Sequence, residues 1–484
     1  MSPSPKDLDD GSCSVPNLDL MGASDANFEE SLLRKRNTTT VYGHESDSVT
    51  PKSGNKKLEI LYEGYFYDVT EFIKRHPGGN IIQLYENGED ATIPIQQFHY
   101  RSLKTVLARM KGLPKRPATV EEIGLDPETK TRHDELTKDF LALSAELQAE
   151  GLMDPNPRRF LVRILQSLIM FVLGLAMSYC LGHRSFLWRG LSVILMTLAG
   201  GQYLWLGHEG GHNSFTGIPK IDRIVQIFSF GFVFGLSASS WNSTHSEHHA
   251  MPQHETKDAD LKTLPLLAFN KRVVRDPKEA SKFWIVYQVS VLFKNPYTIT
   301  CSSLSHSFNV FDSQHVLFIL CDTLIVTLAW KCNHHLRFVI KNKCWFDLFC
   351  MLCHYSLVPL LGFVDWMLIT WLGSIYVLGN LVLSHTHLPV VEDGKKLHWA
   401  EYAFYHTTNI RSSWWVDWWT GHLNYQIEHH LFPTMPEYKN KLCRDKVKAF
   451  AKRHGLPYNL CTYWEAVKSA YFNLEHVANE LRHL

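Results

Sequence analysis

Two apolar runs, residues 160–181 and 186–207, are separated only by Gly182-His183-Arg184-Ser185. Each has about the ~20 residues that a helix needs to span the hydrocarbon of a bilayer. The break between them has room only for a tight turn, so the runs are predicted to form an antiparallel hairpin across a membrane. No other feature constrains the fold as tightly. Both ends of the hairpin then lie on one side, and Arg158 and Arg159 ahead of the first run put that side in the cytosol. Average composition hides the hairpin. Mean hydropathy is −0.15, because apolar residues concentrate at 160–210 and 315–385 while 1–55 is rich in Ser, Asp and Asn. The balance of 49 Lys+Arg against 48 Asp+Glu lacks the basic excess of a nucleic-acid binder, so no nucleic acid is expected as a partner.

The rest of the topology follows from the same reasoning. Residues 208–314 form a long cytosolic stretch, in which 224–240 is apolar but short and Gly-broken, suited to an interfacial or re-entrant piece. Three apolar segments follow at 315–330, 345–363 and 366–384. Lys331, Arg337, Lys341 and Lys343 make 331–344 a cytosolic loop, so 315–330 dips in without crossing. Segments 345–363 and 366–384 cross and return. Four spans result, with both termini and nearly all polar mass in the cytosol. The ten Cys are scattered, and Cys180, Cys321, Cys350 and Cys353 lie inside apolar runs, which fits a reducing compartment rather than a disulfide framework. The N-terminus lacks the charged-then-apolar pattern of a secretory signal. Residues 1–55 read as disordered, since they cannot bury enough apolar surface to offset chain entropy. Residues 56–113 read as a small α+β domain and 114–157 as a linker with a helix near 131–150. The membrane domain takes 158–430. Residues 431–484 form a cytosolic tail with amphipathic helices near 439–454 and 463–482.

The chain has 26 His, many in tight clusters. His208 and His212 begin where the second run ends, and an i, i+4 pair shares one helix face. His245, His248 and His249 form an i, i+3, i+4 set in the cytosolic stretch. His385 and His387 lie where the last span emerges, and Gln426, His429 and His430 follow it. One such cluster could be a polar cap at a membrane edge. Several, all on one side of a topology drawn independently of them, point to a metal centre. His208-Glu209-Gly210-Gly211-His212 also matches HExxH, the zinc-protease signature. A catalytic zinc takes three protein ligands, whereas here at least seven further His are available, and the spacing does not continue as in metzincins. His183, His254, His315, His334, His335 and His354 lack such a pattern and read as surface or core residues.

The N-terminal domain helps choose the metal. His76-Pro77-Gly78-Gly79 sets a His at a tight turn, and His99 lies 23 residues on, with Leu, Ile, Tyr and Phe between. Two such His can hold a haem iron from both faces, leaving no open position, so the group passes electrons without binding oxygen. An electron carrier fused to a many-His membrane site implies redox chemistry, which zinc cannot perform. That points to iron.

With Tyr67-Asp68-Val69-Thr70-Glu71-Phe72 ahead of His76-Pro77-Gly78-Gly79, residues 57–113 resemble cytochrome b5. Residues 158–470 resemble the membrane fatty acid desaturases, whose three histidine boxes read here as His208 to His212, His245 to His249, and Gln426 to His430. The Gln that opens the third box, within Gly421-His-Leu-Asn-Tyr-Gln-Ile-Glu-His-His-Leu-Phe-Pro433, marks the front-end group, in which b5 lies at the N-terminus. The resemblance implies an α+β haem domain followed by an all-α polytopic membrane domain of about four helices with a cytosolic histidine-rich cap. It implies heme b on His76 and His99. It implies two non-haem irons on His208, His212, His245, His248, His249, Gln426, His429, His430 and one of His385 and His387, between which the sequence does not choose. The expected reaction inserts a cis double bond between an existing one and the carboxyl end of an acyl chain. Dioxygen would be the oxidant, and electrons would come from NADH through a separate NADH-cytochrome b5 reductase. The substrate would be a fatty acyl-CoA or a phospholipid acyl chain, and the enzyme would sit in the endoplasmic reticulum membrane. A sphingoid long-chain-base desaturase shares these motifs, and a hydroxylase could use the same iron pair. A membrane zinc protease and a non-catalytic haem-binding membrane protein are the readings of other classes. Two features depart from the family. The b5-like segment lacks the usual first strand and its Trp, and 1–55 matches nothing in the pattern. Trp414, Trp415, Trp418 and Trp419 could wall an acyl tunnel or form an interfacial aromatic belt.

Overall fold

The small domain opens on a β-hairpin whose turn is set by Glu63 and Gly64, both at positive φ (48° and 76°). Such a two-residue turn matches the twist of the strands it joins. In this computed structural model, which describes residues 57–262, 268–273, 327, 328 and 330–482, β1 (Glu59–Tyr62) pairs antiparallel with β2 (Tyr65–Asp68). The extension 1–55 and nearly all of segment 315–330 lie outside the described residues. β2 also pairs with β3 (Lys115–Pro117), so the sheet closes within the stretch read as linker. Thr70 lies two residues beyond the end of β2. Its hydroxyl accepts from the Leu58 backbone N–H at 2.8 Å and ties the chain back to β1. Short 3-10 turns follow at Ile73–Arg75 and Gly79–Tyr85, then helices at Thr92–Phe98 and Leu103–Met110.

The linker helix is longer than expected, Pro127–Ala149, because Asp126 caps it at Thr129 N–H and Pro127 occupies its first turn. Leu136, Phe140, Leu143 and Leu147 recur at helical spacing and are buried. They pack on Trp399, Phe432 and Phe450 of the C-terminal part, and Ile93 of the small domain joins the same cluster. A second cluster joins Ile60, Tyr62, Tyr67, Tyr85 and Ile95 to Ala250, Met251, Val391 and Tyr402. The stretch is therefore not a tether, and Leu58–Leu484 forms one unit.

Among the described residues, three helices are long and apolar enough to cross a membrane: Pro157–Leu181, Phe186–Gly211 and Phe363–Ser384. The first two form the expected hairpin. They approach closely at Gly174, where a Cβ would fall 2.6 Å from Met196 Cγ. The fourth expected span is a shorter apolar helix, Trp345–Leu361, broken between Trp345–His354 and Leu357–Leu361. Pro359 has no N–H to continue the ladder through that break. Residues near 224–240 do turn back: Pro219–Val233 and Ala238–Ala250 meet at 112°. The stretch 331–344 is not an open charged loop. Trp330–His335 and Leu336–Lys341 are helical, and Lys331 is buried at 3% exposure.

The tail follows its predicted pattern, with helices Asn440–Arg453 and Tyr463–Arg482. Between membrane and tail lie short helices at Trp399–His406, Trp414–Trp419 and Gln426–Leu431. Trp414 is largely exposed. Trp419 packs on Tyr376 and donates its indole N–H to the Tyr463 hydroxyl at 3.0 Å.

Candidate metal centre

His208 and His212 occupy the end of the second membrane helix and face one way, their ring centres 4.8 Å apart. His245, His248 and His249 ride on Ala238–Ala250, whose start is fixed by the Ser237 hydroxyl accepting from Ser240 N–H. His429 and His430 end the short helix Gln426–Leu431. The 112° bend behind Ala238–Ala250 carries the second set back to the first. Ligand atoms of His208, His212, His245, His249 and His429 all lie within 4.8 Å of one another. Those of His248, His385 and His430 form a second group by the same measure. The groups adjoin, since His249 and His430 stack with ring centres 4.2 Å apart.

The donor chemistry fits cations. His245 Nε2 stands 3.0 Å from His212 Nε2 and 3.1 Å from His249 Nε2. Neutral rings cannot all satisfy one another there, because each has one N–H and one lone pair. Both ring nitrogens of His429 and Nδ1 of His249 and His430 are buried without a hydrogen-bond partner. Burial pushes His385 down to about 3 and holds His429 and His430 well below the ordinary imidazole range. Such rings are neutral near pH 7, the form that ligates metal. The far nitrogens of three rings are tied down. His208 Nδ1 lies 2.6 Å from Glu437 Oε1, His248 Nδ1 3.0 Å from Asp258 Oδ2, and His385 Nδ1 3.1 Å from His406 O. An N–H held this way fixes the tautomer and leaves Nε2 for the metal.

Of the two residues offered for the extra position, His385 joins the cluster and His387 does not. His387 Nε2 lies 3.5 Å from the Thr408 hydroxyl. Gln426 is buried and its Oε1 sits 3.3 Å from His385 Nε2. It is the first residue of the helix Gln426–Leu431, whose N-cap position is Tyr425. The Glu of the HExxH match is turned away from base chemistry. Glu209 bonds to Arg163 and accepts from the Glu437 backbone N–H at 3.1 Å. Glu437, Asp258 and Arg163 carried no signal in the sequence, because nothing local marks a carboxylate that meets its His across a fold.

The second pair of His also comes together. His76 and His99 have ring centres 6.1 Å apart. Two rings on opposite sides of one ion need about that separation, given metal–nitrogen bonds of ~2.0 Å. His76 Nδ1 lies 3.0 Å from Gly79 O and His99 Nδ1 3.0 Å from Ile95 O, so both rings keep Nε2 free. Burial lowers the pKa of both. Phe72 packs on the His76 ring, and Ile81, Ile82, Leu103 and Val106 of the same small domain are only partly buried, as expected of walls that receive a flat apolar group. The two glycines have separate reasons. A Cβ on Gly78 would fall 2.8 Å from His76 Cε1, and Gly79 sits at φ +65°.

A many-imidazole centre at the end of a membrane hairpin, with a two-imidazole domain packed beside it, defines a haem-coupled membrane metalloenzyme. The sequence pattern described as "Fatty acid desaturase" matches residues 183–462, and that of the "Cytochrome b5-like Heme/Steroid binding domain" matches 45–113. An acyl-lipid (8-3)-desaturase of Rebecca salina is 37% identical over 448 residues, 90% of this chain and 94% of that one. One of Thraustochytrium sp is 36% identical over 443 residues, 89% and 94% of the two chains. Fatty acid desaturase 3 of Bos taurus is 28% identical over 436 residues, 88% and 91%. The chain belongs to the fatty acid desaturase family. It is an oxidoreductase of the front-end group, a multi-pass membrane protein with cytochrome b5 fused at its front. The b5 match begins about ten residues before the border expected from the sequence.

Proposed function

We propose that the protein desaturates fatty acyl chains of a membrane lipid, placing a cis double bond between an existing one and the carboxyl end; its two 36–37% identical relatives are named acyl-lipid (8-3)-desaturases. Similarity over 94% of both relatives supports this substrate class, and the pair of adjoining buried histidine groups carries the reading. His76 and His99 hold one heme b. His208, His212, His245, His249 and His429 hold one iron and His248, His385 and His430 the other, with the Gln426 amide beside His385. When bound, the irons with dioxygen supply the oxidant that an unactivated C–H bond needs, and the haem supplies electrons. The acyl chain loses two hydrogens. These, with two electrons and two protons, reduce dioxygen to two waters.

The chain's own residues do the positioning. Glu437, Asp258 and the His406 carbonyl orient three rings. Burial of the cluster excludes water from the reacting segment. Electrons enter from NADH through a separate cytochrome b5 reductase to the His76/His99 domain. The protein sits in the endoplasmic reticulum membrane with both termini and the metal centre in the cytosol. Lipid profiling of a host lacking polyunsaturated acyl chains, fed an acid that is already unsaturated, tests the reading. The expected product is that chain with one further double bond on its carboxyl side, found in phospholipid. A desaturated sphingoid base or a hydroxylated chain as the sole product would overturn it.

A further inference from the structure

Lys331 is buried inside the membrane bundle, away from the histidine cluster. Its ammonium lies 5.8 Å over the Trp366 ring and has no hydrogen-bond or ion-pair partner among the described residues. It borders a cavity of about 160 Å³ whose walls are otherwise mostly apolar, among them Phe171, Met196, Phe232 and Leu361. A second polar atom there is also unsatisfied: the Thr197 hydroxyl is buried without a partner and lines the same cavity. His354 cannot serve Lys331. Its Nδ1 donates to Phe232 O at 2.9 Å, and its Nε2 accepts the Trp366 indole N–H at 3.2 Å. None of the cluster histidines borders this cavity.

A lysine that has no partner among the described residues is costly to charge in an apolar interior, and an anion entering beside it would offset that cost. The walls require that the anion bring hydrocarbon with it. A carboxylate with its first methylenes matches one amine set in mostly apolar walls. The lining residues Leu168 and Phe228 are each 44% exposed at the outer face of the bundle. The rest of an alkyl chain can leave between them into lipid. We propose that Lys331 and Thr197 form a binding site for the carboxylate of a free long-chain fatty acid, entered from the bilayer and separate from the metal centre. An acyl chain esterified in a lipid has no carboxylate, so this site takes the unesterified acid rather than the substrate that the metal centre acts on.

Equilibrium binding of radiolabelled oleate to the full-length protein in phosphatidylcholine nanodiscs tests this. Lys331→Met should weaken binding by about tenfold or more, while Lys331→Arg, which keeps the charge, should stay within about threefold. Thr197→Val should weaken it less. Methyl oleate should not compete. Removing an unpaired buried charge should raise the Tm of Lys331→Met. Should that variant fail to fold, the Arg variant and the acid-against-ester comparison in the wild type carry the test. Equal oleate binding by wild type and Lys331→Met overturns the proposal, as does competition by methyl oleate equal to that of the acid. Displacement by dioleoyl phosphatidic acid as effective as by oleate would assign the site to a phospholipid phosphate and overturn it too.

Discussion

Gln426 stands where an imidazole would be the stronger ligand, and it offers an amide oxygen 3.3 Å from His385 Nε2. Removing that oxygen leaves a hole beside one metal group, so Gln426→Ala should abolish product formation and lower bound iron. Gln426→His should keep part of the activity, because a ring of similar reach replaces the amide. Full activity with unchanged iron in the Ala variant would remove Gln426 from the centre. Glu437 acts at one remove. Its carboxylate holds His208 Nδ1 from 229 positions away in sequence. Losing such a support commonly costs about 10- to 100-fold in metal affinity. Glu437→Leu should therefore release iron to a chelator at correspondingly lower chelator concentration, with haem content unchanged. Equal chelator resistance would show that the bond is incidental. The His pairs were legible in the sequence because i, i+4 spacing is local. Glu437 was not, because only the fold brings it to His208. His385 and His387 could not be separated either. The turn Val382–Ser384 decides which of them enters the cluster, and spacing says nothing of a chain's direction after a helix ends.

Elements whose shape is set by neighbours in sequence matched expectation, and those set by packing did not. The hairpin of Glu63-Gly64, the membrane hairpin around Gly182–Ser185 and the tail helices all follow from local turn chemistry and periodicity. The helix Pro127–Ala149 was visible, but its role was not, because a stripe of Leu136, Phe140, Leu143 and Leu147 does not name the surface it covers. Lys331 was misread because counting cations assumes they are solvated. The turn His76-Pro77-Gly78-Gly79 shows how much a short element can specify. Gly78→Ala sets a methyl 2.8 Å from His76 Cε1 unless something shifts. That variant should load haem poorly, seen as a fall in the ratio of Soret to protein absorbance, while iron in the membrane centre stays bound. Normal haem loading would mean that the turn yields and the glycine has another purpose.

At the scale of the whole molecule, the haem domain is packed into the enzyme rather than carried on a tether. Glu89 pairs with Lys257, and the Lys396 ammonium bonds to Asn87 O at 2.7 Å and Ile123 O at 2.5 Å. Arg101 reaches Met153 O at 2.6 Å. With two shared apolar clusters, these contacts hold the His76/His99 pair at a constant place beside the helix that bears His245, His248 and His249. The seated domain packs against the end of that helix at Ala250 and Met251, so a free cytochrome b5 would have to take its place. His76→Ala should thus lose the low-spin haem spectrum and most desaturation, and coexpressed free b5 should not restore it. Restoration would show that the domain leaves its seat. The central claim remains the pairing of a two-histidine haem site with an eight-histidine iron centre in one chain. Metal analysis of the purified full-length protein tests it most directly. One haem and two non-haem irons per chain, with little zinc, are expected. Stoichiometric zinc with little iron would contradict it and return His208 and His212 to the protease reading.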